Sequence, residues 1–171
     1  MKILYTRDRI AARVTEMGAE ITEFYRGCDL TVVALMTGGL YFAADLTRAI
    51  KLSSLKLDSV AIASYQDDRS SEKLNFRSHL KLDPTGRDIL IVDEVLDTGI
   101  TLRGVRDFLL AHGANRVRSA VMVEKDILRP KRGLESADWV GFYTGPHYLV
   151  GYGLDSEELY RNLPYIATLD N

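Results

Sequence analysis

Residues 88–104, DILIVDEVLDTGITLRG, put an apolar strand, two adjacent acids and a helix start in one stretch. The strand closes on Asp93 and Glu94; Asp97 follows, and Thr98, Gly99, Ile100 and Thr101 open the helix. Unpaired N–H groups and the positive dipole end make a helix start attractive to phosphate. Gly99 lets the backbone approach such a group closely, and the hydroxyls of Thr98 and Thr101 add donors. Carboxylates only accept hydrogen bonds, so two of them beside an anion cradle suit sugar hydroxyls, which donate. The competing reading is a solvated strand end whose acids cap the turn.

The elements that must position these groups follow from periodicity. Ile10, Val14, Met17, Ile21 and Phe24 recur at helical spacing over 8–26, with Asp8 available as a cap and Gly27 as a stop. TVVALM (31–36) is a β-branched strand, followed by Gly38-Gly39 and a helical LYFAADLTRAIKL. SVAIASY (59–65) and RVRSAVMVEK (116–125) read as further strands. The almost wholly apolar 88–94 fits a parallel strand buried on both faces. A helix from about Thr101 ends near His112-Gly113. WVGFY (139–143) and YLVGYG (148–153) are strand-like, and a short helical turn is expected before RNLPYIATL. The polar stretch 66–78 fits a hairpin, a mobile loop or an exposed helix turn equally. Alternating strands and helices predict an α/β fold with a mainly parallel twisted sheet flanked by helices.

The 171 residues favour one domain, and a chain of this length needs no disulfide to hold its core. Cys28 is the sole cysteine, which suits a reducing compartment. The N-terminal stretch lacks a signal-peptide apolar run, and no run reaches the roughly 20 residues of a membrane span. A soluble cytoplasmic protein is expected, with no membrane partner. The net charge of −2 lacks the basic excess of a nucleic-acid binder. The cluster Arg129, Lys131 and Arg132 reads as a solvated loop, His79, His112 and His147 have no metal-ligand spacing, and Trp139 and Phe142 read as core.

The pattern at 88–104 resembles the phosphoribosyl pyrophosphate motif of the type I phosphoribosyltransferases, an apolar strand leading to two acids and D-T-G-x-T. Residues 148–166, YLVGYGLDSEELYRNLPYI, are similar to the hypoxanthine (guanine) phosphoribosyltransferase stretch F-V-V-G-Y-G-L-D followed by Y-R-N-L-P-Y-I. Motif order and spacing agree along nearly the whole chain. The resemblance implies one domain over 1–171, with a core of about 1–125 and a hood built largely from 126–171. It implies Mg²⁺-dependent purine salvage from phosphoribosyl pyrophosphate and hypoxanthine or guanine, releasing IMP or GMP and pyrophosphate, in a homodimer or homotetramer.

It also implies roles. Asp93 and Glu94 hold the ribose hydroxyls, directly or through Mg²⁺, and Asp97 is the general base near N7 of the purine. Thr98, Gly99, Ile100 and Thr101 cradle the 5′-phosphate. Lys125 reaches the 6-oxygen, Tyr148 stacks on the base and the Leu149 backbone reads its edge. Asp155 ligates Mg²⁺ and Arg161 contacts pyrophosphate. Ser64 and Tyr65 begin a mobile lid, while Met36, Thr37, Gly38 and Gly39 form the pyrophosphate loop. The chain departs from that pattern in the order of the acids (Asp-Glu for Glu-Asp), in Tyr148 for phenylalanine, in Thr37 for a basic residue and in a lid poor in glycine, serine and threonine. Two alternatives stand beside this reading: a xanthine-preferring enzyme, and a regulator that keeps the fold as a sensor and binds nucleic acid.

Overall fold

Side chains that alternate between two apolar faces need cover on both, and the central strands obtain it from three helices. The computed structural model describes residues 1–63 and 74–169. Its elements run β1 (Lys2–Tyr5), α1 (Arg7–Phe24), β2 (Leu30–Met36), α2 (Leu40–Ala49), β3 (Leu55–Ala63), β4 (Asn75–Phe76), β5 (Asp88–Leu96), α3 (Ile100–Ala111), β6 (Arg116–Lys125), β7 (Trp139–Thr144), β8 (Leu149–Val150) and β9 (Ile166–Thr168). Strands β3, β2, β5, β6 and β7 form a parallel sheet in that order, with β4 antiparallel on the β3 edge. Leu30, Val32, Leu90, Val92, Ala120 and Met122 pack under α1 and α2. Their neighbours Val33, Leu35, Ile89, Ile91 and Val121 pack under α3 on the other face.

The sheet reverses its winding direction between β2 and β5, and ligands of open α/β sheets bind beyond the strand ends at such a point. Pairing of β2 with β5 stops at Ala34 opposite Val92. The chain beyond each strand is therefore free to part there, and Gly38-Gly39 and Asp93–Asp97 border the gap.

A second, antiparallel sheet orders β1, β9 and β8. Strand β1, unread in the sequence, pairs with β9 from Lys2 opposite Thr168. Leu149, Tyr152, Leu154 and Ile166 join the core on the α1/α2 face, so this sheet shares the main core.

Several local expectations need correction. Thr6, not Asp8, caps α1, its Oγ1 accepting the Arg9 N–H at 3.4 Å. β5 continues past the two acids because β6 runs beside it as far as Leu96 opposite Glu124. Asp93 and Glu94 thus sit inside the strand and not at its end. Only Leu149–Val150 of YLVGYG is strand, since Gly151, Tyr152 and Gly153 all adopt positive φ. No helix forms over 154–160; Asp155 instead accepts the Glu158 N–H at 2.9 Å, and Ser156 and Leu159 exchange backbone bonds. Of the ambiguous 66–78 stretch, residues 75–76 return as β4 against β3. Ser64, Tyr65 and the lid through residue 73 lie outside the described residues.

Candidate active site

The loop after β5 forms the first half of the site. Gly99 caps α3 at φ +75°, and a Cβ there would lie 2.5 Å from the Leu134 carbonyl oxygen. The same glycine accepts the Leu134 N–H at 2.9 Å, so the β6–β7 loop holds the cradle from outside. Four N–H groups at the start of any α-helix have no intrahelical partner. Residues 98–101 place the start of α3 just after the end of β5, and Thr98 is exposed beside it.

Asp97 and Lys125, 28 residues apart, meet at the adjacent ends of β5 and β6. The Lys125 ammonium donates to Asp97 Oδ2 at 2.7 Å. The lysine side chain is 16% exposed and the aspartate 45%. An apolar strand end does not leave this lysine solvated; the tertiary contact gives it a partner. Arg129 is corrected more sharply. Expected in a solvated loop, its side chain is only 12% exposed and its Nε donates to the Asp97 carbonyl at 2.9 Å.

The second half gathers around Glu94. A Cβ on Gly38 would lie 2.1 Å from Glu94 Oε1, and one on Gly39 would lie 2.6 Å from the Leu35 carbonyl oxygen. Only glycines let this loop lie so close to the acid pair. Met36 and Thr37 are joined by a cis peptide bond. Asp93 Oδ1 accepts the Glu94 N–H at 3.0 Å. Burial and the neighbouring Glu94 carboxyl push the Asp93 carboxyl well above the usual carboxylate range. Glu94 Oε2 is buried with no hydrogen-bond partner.

The turn 151–161 closes over this side. A Cβ on Gly153 would lie 2.0 Å from the Gly38 carbonyl oxygen. Arg161 donates from Nη1 to the Gly153 carbonyl at 2.7 Å and pairs through Nη2 with Asp155 at 2.9 Å. The Tyr152 hydroxyl donates to Asp45 of α2 at 2.7 Å, a tie that sequence reading missed. Tyr148, half exposed, and the buried Leu149 stand at the start of β8.

Two expected site groups are therefore each brought together, Asp97 with Lys125 and Asp155 with Arg161. Glu94, Gly38 and Gly153 form the contact between the second pair's turn and the main sheet.

The description of the phosphoribosyl transferase domain matches residues 1–155 of this chain. The chain belongs to the phosphoribosyltransferase family. This phosphoribosyltransferase is 31% identical to the hypoxanthine-guanine-xanthine phosphoribosyltransferase of Tritrichomonas foetus, over 98% of the chain and 91% of that protein. It is 34% identical to the hypoxanthine-guanine phosphoribosyltransferase of Streptococcus pneumoniae, over 98% and 92%. The solved hypoxanthine phosphoribosyltransferase of Staphylococcus aureus superposes with a TM-score of 0.92 at 32% identity, over 99% of this chain and 91% of that one.

The glycine contacts of this phosphoribosyltransferase give a direct test of the closed turn. Alanine at Gly153 meets both a φ of +100° and the Gly38 carbonyl. Left-handed strain and overpacking together cost about 2 kcal/mol or more, equivalent to roughly 4–8 °C in Tm at this chain length. Gly153→Ala is expected to lower Tm by that amount in calorimetry. An unchanged Tm would show that the turn does not rest on Gly38.

Proposed function

We propose that this chain transfers the 5-phosphoribosyl group of phosphoribosyl pyrophosphate to a ring nitrogen of hypoxanthine or guanine, giving IMP or GMP and pyrophosphate. The observation that carries this reading is the Asp97–Lys125 pair beside the phosphate cradle. A carboxylate acceptor next to an ammonium donor complements a 6-oxopurine edge, where a ring N–H lies beside a carbonyl. The two protein groups are paired with each other before the base arrives. Base binding then exchanges one ion pair for two charge-assisted bonds. The names of the relatives support the same substrate class.

Asp97 accepts the purine proton as the new bond to the sugar forms. The α3 start and Thr98–Thr101 hold the 5′-phosphate. Asp93 and Glu94 accept from the ribose hydroxyls, and Tyr148 stacks on the base while the Leu149 backbone reads its edge. Arg161 and the N–H groups of Thr37 and Gly38 receive pyrophosphate, while the Gly39 N–H is held by the Leu35 carbonyl at 2.9 Å. Thr37 offers a neutral hydroxyl where relatives of this pattern carry a charge, so binding there falls mainly to the backbone.

The donor set fits Mg²⁺ in part. Glu94 Oε2 is buried without a partner next to a second carboxyl, and Asp155 lies in the turn whose Gly153 packs against Gly38. No group of three or more acidic, histidine or cysteine side chains that could hold a metal occurs among the described residues. Asp93, Glu94 and Asp155 are the residues that would hold Mg²⁺. Bound there, Mg²⁺ neutralises charge on the departing pyrophosphate. Activity is expected to vanish with chelator and return with Mg²⁺, and Asp155→Ala to shift the Mg²⁺ titration to higher concentration. A superimposable titration would remove Asp155 from the site.

A steady-state assay with hypoxanthine, guanine, xanthine and adenine tests the reading as a whole. Turnover of the first two supports it, and turnover of adenine alone overturns it. Xanthine as the preferred base would assign the xanthine-specific alternative. No described helix is long and apolar enough to cross a membrane. Sedimentation would separate a homodimer from a homotetramer.

A further inference from the structure

We infer that Arg129 is the positioning residue that sets base specificity, holding Asp97 and Lys125 in register through their backbones. This rests on the base-recognition roles given to those two residues above.

All three guanidinium nitrogens of Arg129 are used. Nε donates to the Asp97 carbonyl at 2.9 Å, Nη2 to the Lys125 carbonyl, and Nη1 to the Glu135 carbonyl at 2.9 Å. Nη2 also lies 3.6 Å from the Glu124 carboxylate, whose side chain is 8% exposed. That carboxylate is in turn fastened by the Ala137 N–H at 3.1 Å and the Ser136 hydroxyl at 3.3 Å. The guanidinium therefore lies between the end of β5, the end of β6 and the loop leading to β7. Its planar fork is rigid and fully engaged, so the three backbones cannot shift independently without breaking charge-assisted bonds.

The consequence for chemistry is geometric. Asp97 and Lys125 must present acceptor and donor at the spacing of one base edge, yet they stand on different strands. Their own contact does not fix that spacing, because the base breaks it. Arg129 touches neither side-chain terminus, so it persists through binding as the link between the two backbones. A lysine here would keep the charge and the pairing with Glu124, but one ammonium on a flexible stem cannot span three carbonyls in a plane.

The test uses Arg129→Lys, with Arg129→Gln as a second variant, in the full chain. Each is compared with Lys125→Ala for Tm, for the KM of phosphoribosyl pyrophosphate, and for kcat/KM with hypoxanthine and with adenine. We expect Arg129→Lys to keep the phosphoribosyl pyrophosphate KM within about twofold, because a neighbouring site holds it. Hypoxanthine kcat/KM should fall by roughly 10²-fold, the penalty typical of a small misplacement of reacting groups. The hypoxanthine-to-adenine ratio should fall at least tenfold. A purely structural arginine would lower Tm and leave that ratio unchanged, which overturns the inference. Full recovery of the ratio in Arg129→Lys also overturns it, since charge alone would then suffice. If Lys125→Ala itself leaves the ratio unchanged, the base-recognition reading fails first. If Lys125→Ala collapses the ratio and both Arg129 variants preserve it, only the present inference fails. Should Arg129→Gln not fold, Arg129→Lys decides.

Discussion

Asp97→Asn lowers kcat with hypoxanthine by roughly 10²–10⁴-fold, the contribution usual for a positioned general base, and leaves phosphoribosyl pyrophosphate binding within a few-fold. Asparagine has nearly the same shape, so the backbone carbonyl held by Arg129 and the start of α3 stay in place. What disappears is the capacity to take a proton and the charge opposite Lys125. A loss confined to kcat would mark an interaction made in the transition state, whereas a rise in KM alone would mark ordinary binding. Steady-state kinetics with a separate binding measurement for phosphoribosyl pyrophosphate decides between them. Near-normal turnover would place the base elsewhere.

The second large effect concerns base choice. An ammonium can only donate. Lys125 meets an acceptor in the 6-carbonyl of hypoxanthine or guanine, but another donor in the 6-amino group of adenine. Its side chain is 16% exposed and already leans on Asp97, so water compensates poorly for a mismatch. Sites built on such hydrogen bonds discriminate by roughly 10⁴-fold or more. Adenine is therefore expected to be a very poor substrate. Lys125→Ala should cut kcat/KM for hypoxanthine far more than it changes the adenine background, measured as four specificity constants. If the ratio is unaltered, discrimination lies with backbone groups around Leu149.

Much of this architecture was legible along the chain because its signals are short-ranged. The apolar run of β5, its acid pair and the threonine-glycine helix start depend on neighbours within one or two turns. So do β2, β6 and the glycines after β2, and the agreement of these boundaries with the sequence is close. The helix expected over 154–160 failed for a related reason. Its polar residues carry no periodicity, and four non-glycine residues between 152 and 160 take positive φ.

What only the tertiary structure decided is pairing across distance. The sequence by itself marked Asp97 and Lys125 as separate candidates, and their resemblance-based roles said nothing of their meeting. They lie 28 residues apart, Arg129 and Asp97 lie 32 apart, and Tyr152 and Asp45 lie 107 apart. An arginine in a polar loop has no local mark that separates a solvated side chain from a buried one. Its place is set when β5 and β6 pair and bring the Asp97 and Lys125 carbonyls to the same point. Likewise β1, four residues with no alternation of its own, becomes a strand because β9 presents an edge to it. Local chemistry chose the parts of the site; the sheet's order, with its reversal between β2 and β5, brought them into register.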